Sequence, residues 1–271
     1  MDATVSLGYS TPHIDSIDFG IAVKNKQRRK RWRRSLLSVV GIVLVTVRVA
    51  TWPVETQQGV DFVVSTHTIP LYLKVFGFID RSIHYERIVS SVTDGLSSDE
   101  AIVETLFDWT RINIRDTPEG WTITDDHILN IIIRGHGMSD QQADVLTTLL
   151  TYAGVPAFWE ALPRGAEQQV LLSFVLVDGT WRVCDVANGF LFRAENTELA
   201  SLEQLQARSS LVGRLAERTV IDDVPYIDVL QQVKMPVTPN PLRAELQMPL
   251  KRLVHEIRAG FKFGMDDGSE Q

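Results

Sequence analysis

RGHGMSDQQADVLTTLLTYAGVPAFWEALPRGAEQQVLLSFVLVDGTWRVCD, residues 134–185, decides the fold. It reads as loop, helix, strand, hairpin and strand. Gly135 and Gly137 bracket a turn that asks for a permissive backbone. Ser139 follows with Gln142 three residues on, the spacing of a capping box, so Ser139 is expected to be a helix N-cap. Ala143, Leu146, Leu150 and Ala153 then recur at helical period on one face, and Gly154 with Pro156 stops the helix. Downstream, Val170–Val177 and Thr180–Val186 flank Asp178-Gly179, a dipeptide suited to a two-residue type I′ hairpin turn. Pairing Val177 with Thr180 sets Leu172 opposite Asp185. Side-chain alternation then puts Val170 on the face of Asp185, while Leu171 and Cys184 point the other way.

This frame resembles the transglutaminase-like superfamily, whose members share a papain-like fold. They typically read G-x-G-x-C-D-x-x-A at the start of the nucleophile helix, then a strand opening with His, a D-G turn, and W-x-x-x-D on the returning strand. The matching segments here are GHGMSDQQA, VLLSFVLVDGTW and WRVCD. The resemblance covers roughly residues 98–215 and is strongest between Gly135 and Asp185. It implies that Ser139 stands where the family has its nucleophilic Cys, Val170 or a close neighbour where it has its His, and Asp185 where it has its orienting carboxylate. Two of the three catalytic residue types are replaced.

The replacement matters chemically. A serine hydroxyl is a weak nucleophile until a base within hydrogen-bond reach takes its proton, and a valine cannot. Of the six histidines, only His127 and His136 are near Ser139 in sequence, and neither is on the hairpin. His136 is the one candidate base; His127 reads as a structural hydrogen-bonding residue. Cys184 is the single cysteine, so no intrachain disulfide can form, and it reads as a small buried hydrophobe.

Working outward, Ser97-Ser98-Asp99-Glu100 offers an N-terminal capping signal for a second helix in which Ile102, Leu106 and Trp109 recur, and the family has a counterpart helix ahead of its nucleophile. FLFR after Asp185 reads as a strand, and Ser201 with Gln204 repeats the capping-box spacing. Prolines at 225, 236, 239 and 241 break regular structure. The final LRAELQMPLKRLVHEIRAGFKFG either packs on the domain, the default expectation, or touches anionic lipid through its basic residues, with Pro249 interrupting any single long helix.

At the other end, residues 1–34 form a basic tail leading into SLLSVVGIVLVTV, and 35–54 reads as a transmembrane anchor with Arg48 able to snorkel and Trp52 suited to the interface. The same run fits the h-region of a cleaved signal peptide. The distance of the basic segment from Met1, and Arg48 just before the residues where cleavage would fall, favour an uncleaved anchor. The positive-inside rule puts the N-terminus in the cytoplasm and the main domain across a bacterial inner membrane. Residues 55–97 are read as spacer and accessory helices. There IPLYLKVFGFID either packs on the core, the commoner case, or lies on the bilayer surface. The transglutaminase-like domain is placed at 98–225 and a C-terminal extension at 226–271.

The formal net charge of -7, with positive charge concentrated near the N-terminus, argues against nucleic acid as a partner of the main domain. No G-x-x-x-x-G-K, H-E-x-x-H or C-x-x-C pattern occurs, so no cofactor or metal is expected. The expected architecture is α+β: helices packed on an antiparallel sheet in a papain-like domain, behind one N-terminal transmembrane helix. The expected function is a catalytically degenerate domain that binds or scaffolds an envelope protein, peptide or glycan. The alternative is an acyl-transfer or amide-hydrolysing enzyme with Ser139 as nucleophile.

Overall fold

The computed structural model describes Trp32 and residues 35–125, 127–164, 168–194, 197–207, 220–221, 224–234, 238–255 and 258. These fall into two compact units, Met1–Val54 with Pro70–Tyr72, and Glu55–Ile69 with Leu73–Gln271. In the first, residues 35–50 form a helix, α1, with Leu36, Leu37, Ile42 and Leu44 exposed. Thr46 and Thr51 return their hydroxyls to the carbonyls of Ile42 and Val47, both at 2.9 Å. The N–H of Leu71 donates to the carbonyl of Trp52 at 2.8 Å. Among the described residues no helix is long and apolar enough to cross a membrane. The basic tail lies outside the described residues except for Trp32.

The stretch expected to be a spacer is built of strands. β1 (Pro53–Val60) and β2 (Val63–Pro70) lie side by side in a three-stranded sheet of order β2-β1-β4, where β4 is Thr124–Asp125. Asp61 and Phe62, both at positive φ (47° and 65°), make the turn, and the Asp61 carboxylate accepts the N–H of Ile123 at 2.8 Å. α2 (Leu71–Val92) follows, with Ser82, Tyr85 and Val89 buried. Its first turns depart from the expected packing: Leu73, Val75, Phe76 and Ile79 are exposed.

α3 (Asp99–Asn113) starts within the predicted capping stretch, and Ser98 is the residue that caps it, its hydroxyl accepting the N–H of Ala101 at 3.2 Å. Its buried face is Val103, Leu106, Phe107 and Thr110, with Ile102 and Trp109 only half-buried at the edge. After β3 (Arg115–Asp116), β4 and α4 (Ile128–Arg134), the bridge β5 (His136–Gly137) pairs parallel with β3 and leads into α5 (Ser139–Tyr152).

α5 is the centre of the domain. Every residue from Gln141 to Thr151 is buried, so more than the single apolar face expected from its period is covered. Its buried polar side chains other than Thr148 are each bonded. Thr147 and Thr151 back-bond to the carbonyls of Ala143 and Thr147 at 2.8 Å, and Gln141, Gln142 and Asp144 reach neighbouring elements.

β6 (Ala157–Arg164), β7 (Gln168–Val177), β8 (Thr180–Asp185) and β9 (Phe190–Leu191) form an antiparallel sheet in chain order. The hairpin register is the predicted one, Val177 against Thr180, and Asp178 and Gly179 both take positive φ (51° and 74°) as a type I′ turn requires. Both faces of the sheet are covered. On one, Val175, Val177 and Cys184 join Ala143, Leu146 and Leu150 of α5 in a core shared with α3 and α4. On the other, Val170, Leu172, Phe174 and Val183 pack with α6 (Leu202–Ala207) and with α7 (Tyr226–Gln232), a helix beyond the short pair β10 (Val220–Ile221) and β11 (Val224–Pro225). The capping box of α6 forms, Gln204 N–H to Ser201 Oγ at 3.3 Å and Ser201 N–H to Gln204 Oε1 at 2.9 Å.

The described part of the C-terminal segment, residues 238–255, packs on the domain. α8 (Leu242–Glu245) is followed by a separate helical stretch, 249–255, the break falling just before Pro249. The Tyr152 hydroxyl donates to the carbonyl of Gln247 at 2.7 Å, and the Arg252 guanidinium lies 5.4 Å from the Phe78 ring centroid.

Candidate functional site around the start of α5

The turn into α5 is fixed by a small network. Gly135 caps α4 at φ 71°, its N–H reaching the Ile131 carbonyl at 3.0 Å. Gly137 serves space instead: a Cβ there would stand 3.0 Å from Gln141 Cβ and 3.2 Å from Ile131 Cγ2. Arg134 binds the turn from inside, Nε to the His136 carbonyl at 2.9 Å and Nη2 to the Thr124 carbonyl at 2.8 Å and to Gln141 Oε1 at 2.9 Å.

The cap differs from the expected one by one residue. Met138 is the N-cap, extended at φ -75° and ψ 169°, and its N–H donates to Gln141 Oε1 at 3.1 Å. Ser139 is therefore the first helical residue, exposed, and its hydroxyl makes no hydrogen bond among the described residues. Gln142 turns instead to Asp116, Nε2 to Oδ1 at 2.8 Å. The parallel β3–β5 bridge brings Asp116 there, which no local pattern reveals.

His136 is occupied elsewhere. Its Nδ1 lies 3.4 Å from the Thr117 hydroxyl and its ring meets Trp121 edge-on at 5.1 Å. No hydrogen bond joins it to Ser139 among the described residues.

Val170 is buried in the core on the side of α6 and α7, away from α5. Asp185 pairs with Phe190, which packs on that same side, and its carboxylate accepts the N–H of Asn188 at 3.0 Å and the Asn188 amide at 2.8 Å. Strand alternation turns Leu171, Ser173 and Cys184 toward α5 instead. The Asp185 side chain thus points to the face of the sheet opposite the one that α5, with Ser139 at its start, covers. The face toward α5 offers an aliphatic chain, a buried hydroxyl and a buried thiol whose pKa is pushed up, first by burial and then by the Asp185 charge. None of these is an imidazole. Ser173 Oγ has no hydrogen-bond partner among the described residues.

A polar cluster that sequence reading missed joins α5 to the C-terminal segment. The Trp159 indole N–H donates to Asp144 Oδ1 at 2.6 Å, Arg243 Nη2 meets Asp144 Oδ2 at 2.6 Å, and the Arg243 guanidinium lies 4.7 Å from the Trp159 ring centroid. Burial pushes the Asp144 carboxyl above its usual range, against the opposing pull of Arg243 and Trp159. The one available signal was an acidic residue between Ala143 and Val145 in the middle of a helix. Among the described residues no group of three or more His, Cys, Asp or Glu side chains is placed to hold a metal ion.

No protein-family model matches the chain, and no curated protein does. Two solved structures are similar to parts of it. One is a candidate protease from Parabacteroides distasonis, 20% identical over 44% of this chain and 28% of that one, with a TM-score of 0.32. The other is described as a TGase, 13% identical over 58% of this chain and 49% of that one, with a TM-score of 0.34. The matched regions span less than half of either neighbour.

Proposed function

We propose that this chain is a catalytically degenerate transglutaminase-like domain, tethered by residues 35–54 to a bacterial inner membrane, that binds or scaffolds an envelope protein, peptide or glycan. The observation that carries this reading is the environment of Ser139: an exposed hydroxyl at the first turn of α5, with the one candidate base, His136, in contact with Thr117 and Trp121 and not bonded to it among the described residues. Serine becomes a nucleophile only when a positioned base takes its proton. Asp185, the one family-like catalytic residue type retained, accepts two hydrogen bonds from Asn188. Those bonds close the β8–β9 turn.

A binding role is supported by what surrounds the turn. Trp121 and Met138 are exposed beside His136, and exposed aromatic and methionine side chains are enriched at protein interfaces. The competing reading, acyl transfer or amide hydrolysis by Ser139, draws on the exposure of that hydroxyl at a helix start, where backbone N–H groups can stabilise an oxyanion. Treating the full chain with a fluorophosphonate probe and mapping adducts by mass spectrometry separates the two. The degenerate reading expects no adduct on Ser139. An adduct there that Ser139→Ala abolishes would favour the enzyme.

A further inference from the structure

α2 is an ordinary amphipathic helix on one face and an unusual one on another. Ser82, Tyr85 and Val89 are its buried contribution to the domain. Separately, Leu73, Val75, Phe76, Ile79 and Ile83 are exposed, between 41% and 66%. The spacings from Phe76 to Ile79 and Ile83 are three and seven residues, so these side chains share one stripe at helical period. Phe76, Ile79 and Ile83 on this stripe, flanked by Leu73 on one side and Val75 on the other, exceed the scattered exposure expected of a surface helix and mark an interaction surface.

We propose that this stripe lies on a lipid bilayer, making the first three turns of α2 an interfacial helix. Three observations choose lipid over protein. The stripe begins two residues after Leu71, whose N–H is bonded to the carbonyl of Trp52, the exposed indole at the end of the apolar helix α1. It ends at Ile83; one turn further on the exposed positions are Glu86, Arg87, Ser90 and Ser91. Pairing with a second copy through a coiled coil would need the apolar spacing sustained over three to four heptads, and this one covers fewer than two. The charges between the stripe residues, Lys74, Asp80 and Arg81, are of both signs. Attraction therefore comes from burying apolar surface in the headgroup boundary, with little dependence on anionic lipid. The proposal is strengthened by the tethering of residues 35–54 and is tested separately from it.

The test uses the full chain reconstituted in vesicles of phosphatidylethanolamine and phosphatidylglycerol, with a nitroxide attached at one engineered cysteine at a time: Val43→Cys, Ile79→Cys or Ser90→Cys. Native Cys184 is fully buried and does not compete for the label. Collision with oxygen, which concentrates in lipid, is compared with collision with a water-soluble nickel chelate. Position 79 is expected to favour oxygen and position 90 the chelate. The proposal is overturned if position 79 is as open to the chelate as position 90, or if it is shielded from both reagents and shows dipolar broadening from a second copy. Position 43 reads the tether alone. Oxygen preference at 43 with chelate access at 79 removes the interfacial helix and keeps the tether; the reverse pattern keeps the interfacial helix and removes the tether.

Discussion

Replacing Asp144 by alanine and by asparagine separates the hydrogen bond it makes from the charge it carries. Asp144 is 8% exposed and bonded through Oδ1 to the Trp159 indole and through Oδ2 to Arg243. Asp144→Ala leaves the indole N–H without an acceptor, a loss of about 1–3 kcal/mol for a buried donor. Trp159 is only half-buried, so the lower part of that range applies. The Arg243 side chain is 61% exposed and returns to water at little cost. The expected loss is about 1.5 kcal/mol, roughly a 3–6 °C fall in Tm for a domain of this size. Asp144→Asn keeps an acceptor for Trp159 and removes a buried charge, so it should stay within about 0.5 kcal/mol of the native protein at neutral pH. The two should also differ in pH dependence. The folded Asp144 pKa is raised above its unfolded value, so its contribution to stability is full below the unfolded pKa and is lost as pH rises through the folded one. Denaturant melts from acid to neutral pH should therefore show Asp144→Asn gaining on the native protein as pH rises. Equal damage from both substitutions, or a native advantage that grows with pH, would refute the reasoning.

Gly179→Val should destabilise the domain by about 1–2 kcal/mol in thermal melts, because φ 74° is strained for a β-branched residue; the space for a Cβ is open, so backbone strain alone is at work. An unchanged Tm would reject the type I′ turn. Gly137→Ala should cost about 1–3 kcal/mol by a different route, pressing on Gln141 and Ile131 and loosening the bond that caps α5. Its signature is faster amide exchange at Met138, and protection equal to native would contradict it. Val170→His should not restore a base. It should instead cost about 2 kcal/mol or more by placing a polar ring in the core beneath α6, and unchanged stability would show that Val170 is not buried there.

The hairpin was legible because its determinants are local: Asp178-Gly179 fixes the turn type, and the turn fixes the register. The Ser201 cap, and the start of α3 within Ser97-Ser98-Asp99-Glu100, were legible for the same reason. The cap of α5 was not, because Gln141 and Gln142 are adjacent and the choice between them depends on Arg134, Thr124 and Asp116, all brought in by distant pairing. Which face of the hairpin meets α5 was also hidden. Strand alternation separates faces when one is wet, but here both are buried, so Leu171 and Leu172 look alike in sequence. Likewise the strands between Pro53 and Pro70 are almost wholly exposed, and the apolar alternation that would announce a half-buried sheet is absent.

The absence of a base acting on position 139 is tested most directly by giving that position a nucleophile whose ionisation can be followed. Ser139→Cys places a thiol at the first turn of α5, where the helix start alone can lower its pKa, so the comparison that matters is Ser139→Cys with and without His136→Ala. Iodoacetamide alkylation rates across pH read the thiolate fraction, and the buried, raised-pKa Cys184 stays silent. The degenerate account predicts superimposable profiles, because His136 is engaged by Thr117 and Trp121. A thiol whose apparent pKa rises when His136 is removed would show a working nucleophile–base pair and contradict it.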